Sequence, residues 1–498
     1  MHLHTLDFIV IAIYMLGLVA IGFLFAGRQK DKATYFLGNR RMPWFLAGIS
    51  VIATLLSTMT YLAIPGEMIR YGIGLFSSLL AFFVIVPFVN YLIIPFLMRL
   101  EVTSVYEYIE TRFNLTTRML AASAFIVSRV IWTGLIIYMA AFAIAAMTGW
   151  SIALIIILIG LITTLYTTVG GISAVMWTDL VQFFILLGGA VFVPIYIGFV
   201  TDAGPATWWS TFSEAGRTQV PLYSFDPAVR LTVIGMMVSS FIWNICTHGA
   251  DQVAAQRYLT TPSAAAARRS VLVFSIANVA MILLLAVVGL ALFYFFYLRS
   301  GLPVQAFQEQ IAPEADKAFP RFIAANLPAG ISGLILAALL AAAMSSLSSA
   351  INSISTVAVT DFIDRFRLFA NQQNHLLLAM GIAAITGLLG IASALTVNGF
   401  MQTGEWNLLE LMERGNHLFV APLGVLFFVG FLVPRAGSRA AIGGFLAGLA
   451  TSVSVSFGKE IYGLENPIGF IWNLPGSFVV AFVTTVLLGF VFKRPAAA

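Results

Sequence analysis

The densest group of residues able to do chemistry is the segment AALLAAAMSSLSSAINSIS, where Ser345, Ser346, Ser348 and Ser349 follow a run of mostly alanine. On a helix, spacings of three and four bring Ser345, Ser348 and Ser349 onto neighbouring positions of one face, while Ser346 is turned about 100° toward another. Two adjacent sites could share one helix. Hydroxyl oxygens are neutral, hard ligands, and with backbone carbonyls they suit a cation such as sodium at modest desolvation cost. Close packing of small residues between helices would give the same Ser/Ala pattern.

Two charged residues stand out because their surroundings are apolar. Asp179, in GGISAVMWTDLVQ, lies just inside an apolar run. Acids so placed are functional candidates, although the N-terminus of a helix favours an anion on its own account. Arg129 lies eleven residues beyond Arg118, which at ~1.5 Å per residue buries it about 16 Å into its span. That depth demands an anion. A protein carboxylate such as Glu67 would serve, and so would a carboxylate on a bound solute.

Hydroxyls also interrupt two other apolar stretches. SVIATLLSTMTYLAIPG carries Ser50, Thr54, Ser57, Thr58 and Thr60 before Pro65 and Gly66, and WNICTHGADQ carries Asn244, Thr247, His248 and Gly249. Both read as helices broken in mid-span, where carbonyls and helix ends become free. Hydroxyls bonding back to the preceding turn, with glycine for close approach, would look alike at this level.

Other chemistries find no support. The His residues form no metal spacing, Cys246 is the only cysteine, and there is no phosphate-binding loop, Ser/His/Asp arrangement or carboxylate pair. No enzyme, nucleic-acid partner or organic cofactor is expected. The formal charge of +5 depends for its meaning on where the cations lie along the chain.

The elements that must position these residues are membrane helices. Of 498 residues 60% are hydrophobic and 9% charged, against roughly 25% charged in soluble domains. Runs of about 20 apolar residues match a hydrocarbon core about 30 Å thick, and such lengths satisfy the backbone as helices rather than as barrel strands. The fold class is therefore an all-α membrane protein. Thirteen transmembrane helices are expected near residues 6–26, 43–69, 73–98, 118–147, 151–170, 175–201, 231–258, 267–297, 329–361, 374–396, 409–434, 439–457 and 467–492. The start MHLHTLD lacks a cationic leader, so the first helix is expected to stay. Seventeen loop Lys and Arg, Arg118 and Arg257 among them, fall on one side against seven on the other. The richer side is taken as cytoplasmic, which puts the N-terminus outside and the C-terminus in the cytoplasm of an inner (plasma) membrane protein. A single membrane domain spans 1–498, with 6–26 as an extra helix, 43–201 and 231–434 as halves of five helices each, and 439–492 as a final pair. Five is odd, so the halves enter from opposite faces as an inverted repeat requires.

GISVIATLLSTMTYLAIPGE, TSVYEYIETRF, YTTVGGISAVMWTDLVQ, DQVAAQRYL and LLAAAMSSLSSAINSIS resemble, in order and spacing, the motifs of the sodium/solute symporter family. The resemblance covers nearly the whole chain and implies a five-plus-five inverted repeat of the LeuT type. It implies a common sodium site made by the carbonyls of Ala53, Leu56 and Ala342 with the hydroxyls of Ser345 and Ser346. It implies a second site from Asp179, Ser345, Ser348 and Ser349, and hence two sodium ions per solute. Sodium is then the coupling ion, and the partners are a small solute, Na+ and the lipid bilayer. Candidate solute ligands are Ser57, Thr60, Arg129, Asn244 and His248. Arg129 resembles the carboxylate-binding arginine of the sialic-acid branch, whereas IPGEMIRYG resembles the monocarboxylate, vitamin and iodide branch. Leu55 departs from the sialic-acid pattern, which has a hydroxyl there. The expected function is sodium-coupled uptake of an organic anion by alternating access, with a sugar or polyol symporter and a proton-coupled carrier as the alternatives.

Overall fold

A computed structural model of the chain describes residues 4–226, 229–368, 375–402, 408–463 and 469–492. All regular structure among them is helical. The helices that matter here are α1 (Thr5–Ala26), α2 (Trp44–Leu55), α3 (Thr58–Tyr71), α4 (Leu115–Thr148), α5 (Ile152–Thr201), α6 (Val233–Ala250) and α7 (Gln252–Leu259). They continue with α8 (Ala264–Ser300), α9 (Ile331–Val357), α10 (His375–Gln402), α11 (Leu408–Leu432), α12 (Ser438–Ser456) and α13 (Asn473–Val491). Ten helical stretches among the described residues are long and apolar enough to cross a membrane, and α2 and part of α11 are shorter apolar helices.

The apolar runs account for where helices form, because each is too apolar for water and each helix bonds its own amides. The breaks come from particular residues. α5 contains both the 151–170 and 175–201 runs, and they meet at Gly171, whose φ of 58° and ψ of −162° are not helical. A Cβ there would also stand 2.9 Å from the Tyr35 ring, so glycine suits both the backbone angle and the close approach.

One helix lies at the centre. In its most apolar window, the stretch Ile331–Asp364 is 94% buried within the protein, against 17% for α1. It packs against α5, α4, α1, α10 and α2. α12 and α13 form a pair resting on α11 at one edge. Around the outside, Leu24, Phe83 and Phe199 stand exposed, as side chains facing lipid tails can.

Candidate functional site

The first break lies between α2 and α3. Leu56 leaves the helix with φ −84° and ψ 89°, and Ser57 restarts it as N-cap, its hydroxyl accepting from the Thr60 amide at 3.3 Å. Pro65 lies inside α3, which runs on to Tyr71. The break comes nine residues earlier than Pro65, where an N-cap serine serves the amides that a helix start leaves free.

The end of α2 exposes its last carbonyls to the centre of α9. Ser345 Oγ donates to the Ala53 carbonyl at 2.8 Å and lies 3.2 Å from that of Ala342. Ser346 Oγ donates to the Thr54 carbonyl at 2.9 Å. Ala53, Ala342, Ser345 and Ser346 therefore converge at one place, with Leu56 at the turn beside them. Each hydroxyl keeps lone pairs that a cation could use once the proton points elsewhere.

Asp179 lies deeper in its helix than expected. It comes eight residues beyond the Gly171 kink, about 12 Å along the helix at ~1.5 Å per residue, and is fully buried. Its Oδ2 accepts from Ser50 Oγ at 2.6 Å. The helix-start explanation loses force, since a dipole end acts mainly within the first turn. Ser349 Oγ shares a hydrogen bond with Thr54 Oγ1 at 2.6 Å, and Ser348 bonds back to the Ser345 carbonyl at 3.0 Å.

The residue that joins these groups is Arg257, and sequence reasoning put it in a loop. It is fully buried. Its guanidinium donates to Ser349 Oγ, to Ser50 Oγ at 3.2 Å and to the Val253 carbonyl at 2.8 Å, and stands 3.8 Å from Asp179 Oδ2. Arg118, another of the supposed loop cations, is buried against Asp361 and Glu110, each at 2.7 Å. Ser50, Thr54 and Arg257 thus stand beside Asp179 and the serines. Only the place of Arg257 inside DQVAAQRYL, among the motif stretches, could have signalled it.

The second break lies at Asp251. Asn244, Thr247, His248 and Gly249, expected to interrupt the run, are all helical within α6. Asp251, with φ −90° and ψ 117°, ends α6 and caps α7, its Oδ1 accepting from the Val253 amide at 2.9 Å. Its other carboxylate oxygen pairs with Arg129. The expected partner Glu67 is taken instead by Arg230, through bonds of 2.5 and 2.9 Å.

Between the two breaks lies a cavity of about 370 Å³. Thr54, Leu55, Leu56, Ser57, Thr60, Asn244, Thr247 and Arg129 line it, with Trp132 and Trp243, and the Glu67/Arg230 pair also faces it. Four of the five expected solute ligands are therefore in one place. His248 is not among them. It is fully buried, with Nδ1 2.7 Å from Tyr258 Oη and its ring 4.8 Å from that of Phe274. Thr247, one position earlier, is turned about 100° from it and faces the cavity.

A sequence model of the sodium:solute symporter family matches residues 35–448. The chain belongs to the sodium:solute symporter family. It is 30% identical over 501 residues to the sodium/sialic acid symporter SiaT of Proteus mirabilis, covering 98% of this chain and 96% of that one. Against the human sodium-coupled monocarboxylate transporter 1 the identity is 28% over 464 residues, 92% of this chain and 74% of that protein. A solved structure of a Na+-coupled sialic acid symporter, substrate-bound and outward-open, superposes with a TM-score of 0.84 at 26% identity, covering 99% of this chain and all of that one. Membership makes this chain a sodium-coupled solute symporter and multi-pass membrane protein, a transporter rather than an enzyme.

Proposed function

We propose that this symporter imports a small organic anion, with Arg129 holding the solute carboxylate in the cavity between the two helix breaks. The observation that carries the reading is the Arg129 guanidinium facing a cavity whose lining also holds hydroxyls, the Asn244 and Asn278 amides, two tryptophans and the mutually paired Glu67 and Arg230, the mixture of polar hooks and apolar walls that small-molecule sites use. A planar fork suits a carboxylate. Ser57, Thr60 and Asn244 then bind the hydroxyl or amide groups of the solute. Sialic acid and monocarboxylates, the solutes named for the relatives, both fit this class.

Sodium binds in this reading at two sites, the first from Ala53, Leu56, Ala342, Ser345 and Ser346 and the second from Asp179, Ser345, Ser348 and Ser349. The first ion would bridge the broken α2/α3 element to α9. Coupling follows because ion and solute favour the same outward-open arrangement, so each raises the affinity of the other by one factor. The finer architecture belongs to the same proposal: thirteen spans in one membrane domain, a five-plus-five inverted repeat, the N-terminus outside and the C-terminus in the cytoplasm of the plasma membrane.

A neutral sugar or polyol is the second reading, and one observation favours it: Arg129 already has an anion in Asp251. Thermal unfolding of the purified protein with a solute panel, with and without sodium, separates the two. A ligand at a hundred times its dissociation constant stabilises by about 2.7 kcal/mol. Carboxylates should raise the melting temperature only with sodium. Stabilisation by neutral sugars alone would overturn the anion reading.

A further inference from the structure

The pair formed by Arg129 and Asp251 is placed unlike an ordinary structural ion pair. Arg129 reaches two spaces at once, the wide solute cavity and a narrow pocket of about 30 Å³ behind it. Asp251 lines only the narrow one, beside Phe125, Trp132 and Leu423. One guanidinium therefore faces a protein carboxylate on one side and the solute space on the other.

Charge decides whether it can serve both. Asp251 already occupies part of the guanidinium's donor fork, so a solute carboxylate arriving from the cavity has to draw on the same donors, and whichever carboxylate yields them is left with less compensation. The two carboxylates must compete. Asp251 is built to lose that competition cheaply, because its Oδ1 keeps the Val253 amide as the cap of α7 and the start of a helix favours an anion there. Both arms of the exchange are therefore provided for.

We infer that Asp251 is an internal stand-in for the solute carboxylate, holding Arg129 until the solute displaces it and thereby setting the selectivity of the site for anions. This rests on the reading of the solute as an organic anion. The exchange also has somewhere to go. Asp251 begins α7, and six residues on the same short helix carries Arg257, which bonds to Ser50 and Ser349 beside Asp179. Releasing Asp251 from Arg129 untethers the capped start of that helix from α4, and its other end stands at the second cluster, so the arrival of an anion is felt where sodium is expected. Apparent affinity is lowered by the fraction of protein in which Arg129 is free, and removing the competitor lifts that restraint.

The test is Asp251→Asn, which keeps the capping oxygen and removes the charge. Binding of N-acetylneuraminate, pyruvate and N-acetylneuraminate methyl ester is measured by calorimetry in saturating sodium. Carboxylate binding should tighten at least tenfold in Asp251→Asn while the ester, which has no charge to place on Arg129, binds as it does to the wild type. Unchanged or weaker carboxylate binding in Asp251→Asn, with none in Arg129→Met, would overturn the inference and make Asp251 a fixed orienting partner. Carboxylate binding that survives in Arg129→Met, or that is missing from the wild type, would instead overturn the anion reading and this inference with it. If Asp251→Asn does not fold, infrared difference spectra of the wild type labelled with carboxyl-13C aspartate answer the same question. Adding N-acetylneuraminate should shift a labelled carboxylate band that sodium alone leaves in place, and an unmoved band counts against displacement.

Discussion

The two helix breaks solve the same geometrical problem with different chemistry. At Leu56 and Ser57 the freed carbonyls of α2 meet the hydroxyls of Ser345 and Ser346, and every group in contact is neutral. At Asp251 the break carries a carboxylate with an arginine against it. A neutral cage of oxygens attracts a small cation without having to strip a strong ion pair first, whereas a paired guanidinium is a place where one anion can be exchanged for another. The proposed sodium site at the first break uses that neutrality, for an ion that enters and leaves each cycle. The proposed exchange at the second break uses its charge to discriminate a solute.

The largest effect expected from this contrast is at Arg129. Arg129→Met should weaken carboxylate binding at least a hundredfold while sodium binding survives, and Arg129→Lys should restore little because the bidentate fork is lost. Isothermal calorimetry with each ligand separately checks it. Since breaking a buried pair from one side typically costs about 3 to 5 kcal/mol, the double variant Arg129→Met, Asp251→Asn should express better than Arg129→Met alone. A double variant that binds carboxylates normally would assign the recognition elsewhere.

The next effect concerns the second cluster. Asp179→Asn should lower the Hill coefficient for sodium in uptake from about two toward one, because the site loses its formal negative charge while Ser50 keeps an oxygen acceptor. Arg257 is 3.8 Å away, so the same variant leaves a buried cation with less compensation and should fold less stably. A coefficient unchanged from wild type would make the Asp179/Arg257 pair structural.

A smaller change is expected at the first break. Ser346→Ala removes one oxygen donor of the neutral cage and one bond to the Thr54 carbonyl. Apparent sodium affinity should fall roughly tenfold, equivalent to about 1.4 kcal/mol, with the solute maximum velocity retained at high sodium. Uptake with an unaltered sodium dependence would remove Ser346 from the site.

How far the residues spoke for themselves differs between the two breaks for a physical reason. Apolar runs of membrane length leave helices as the one local solution, so Thr5–Ala26 and Ala264–Ser300 fall close to the boundaries read from hydropathy. A break has no such signature. Hydroxyls in SVIATLLSTMTYLAIPG marked the right neighbourhood, but Pro65, the conspicuous helix breaker, sits within α3, since losing one amide is tolerated where neighbouring helices pack around it. In WNICTHGADQ the polar residues drew attention to Asn244 and His248, while the turn lies at Asp251, whose own side chain supplies the cap. Arg257 could not be read from hydropathy. Hydropathy assigns an arginine at a helix end to water, and only the tertiary arrangement of Asp179, Ser50 and Ser349 makes a dry position bearable.

The smallest effect on transport is expected at His248, and it tests how sharply the second break faces its cavity. The side chain lies behind the cavity wall, paired with Tyr258 Oη and stacked edge-on against Phe274, while Asn244 and Thr247 on the same helix face the solute space. His248→Gln retains a polar partner for Tyr258 but loses the aromatic contact. Stability should drop by about 1 kcal/mol, the usual scale of one aromatic pair or buried hydrogen bond. Solute and sodium affinities should stay within about twofold of wild type, since an interaction shared equally by free and bound protein cancels from binding. Asn244→Ala is the matched comparison, four residues and one turn away on the face that lines the cavity. It should weaken solute binding roughly five- to tenfold, the scale of one hydrogen bond worth about 1 kcal/mol. If His248→Gln cost more solute affinity than Asn244→Ala, His248 rather than Asn244 would face the solute, and the facing of α6 toward the cavity would have to be reassigned.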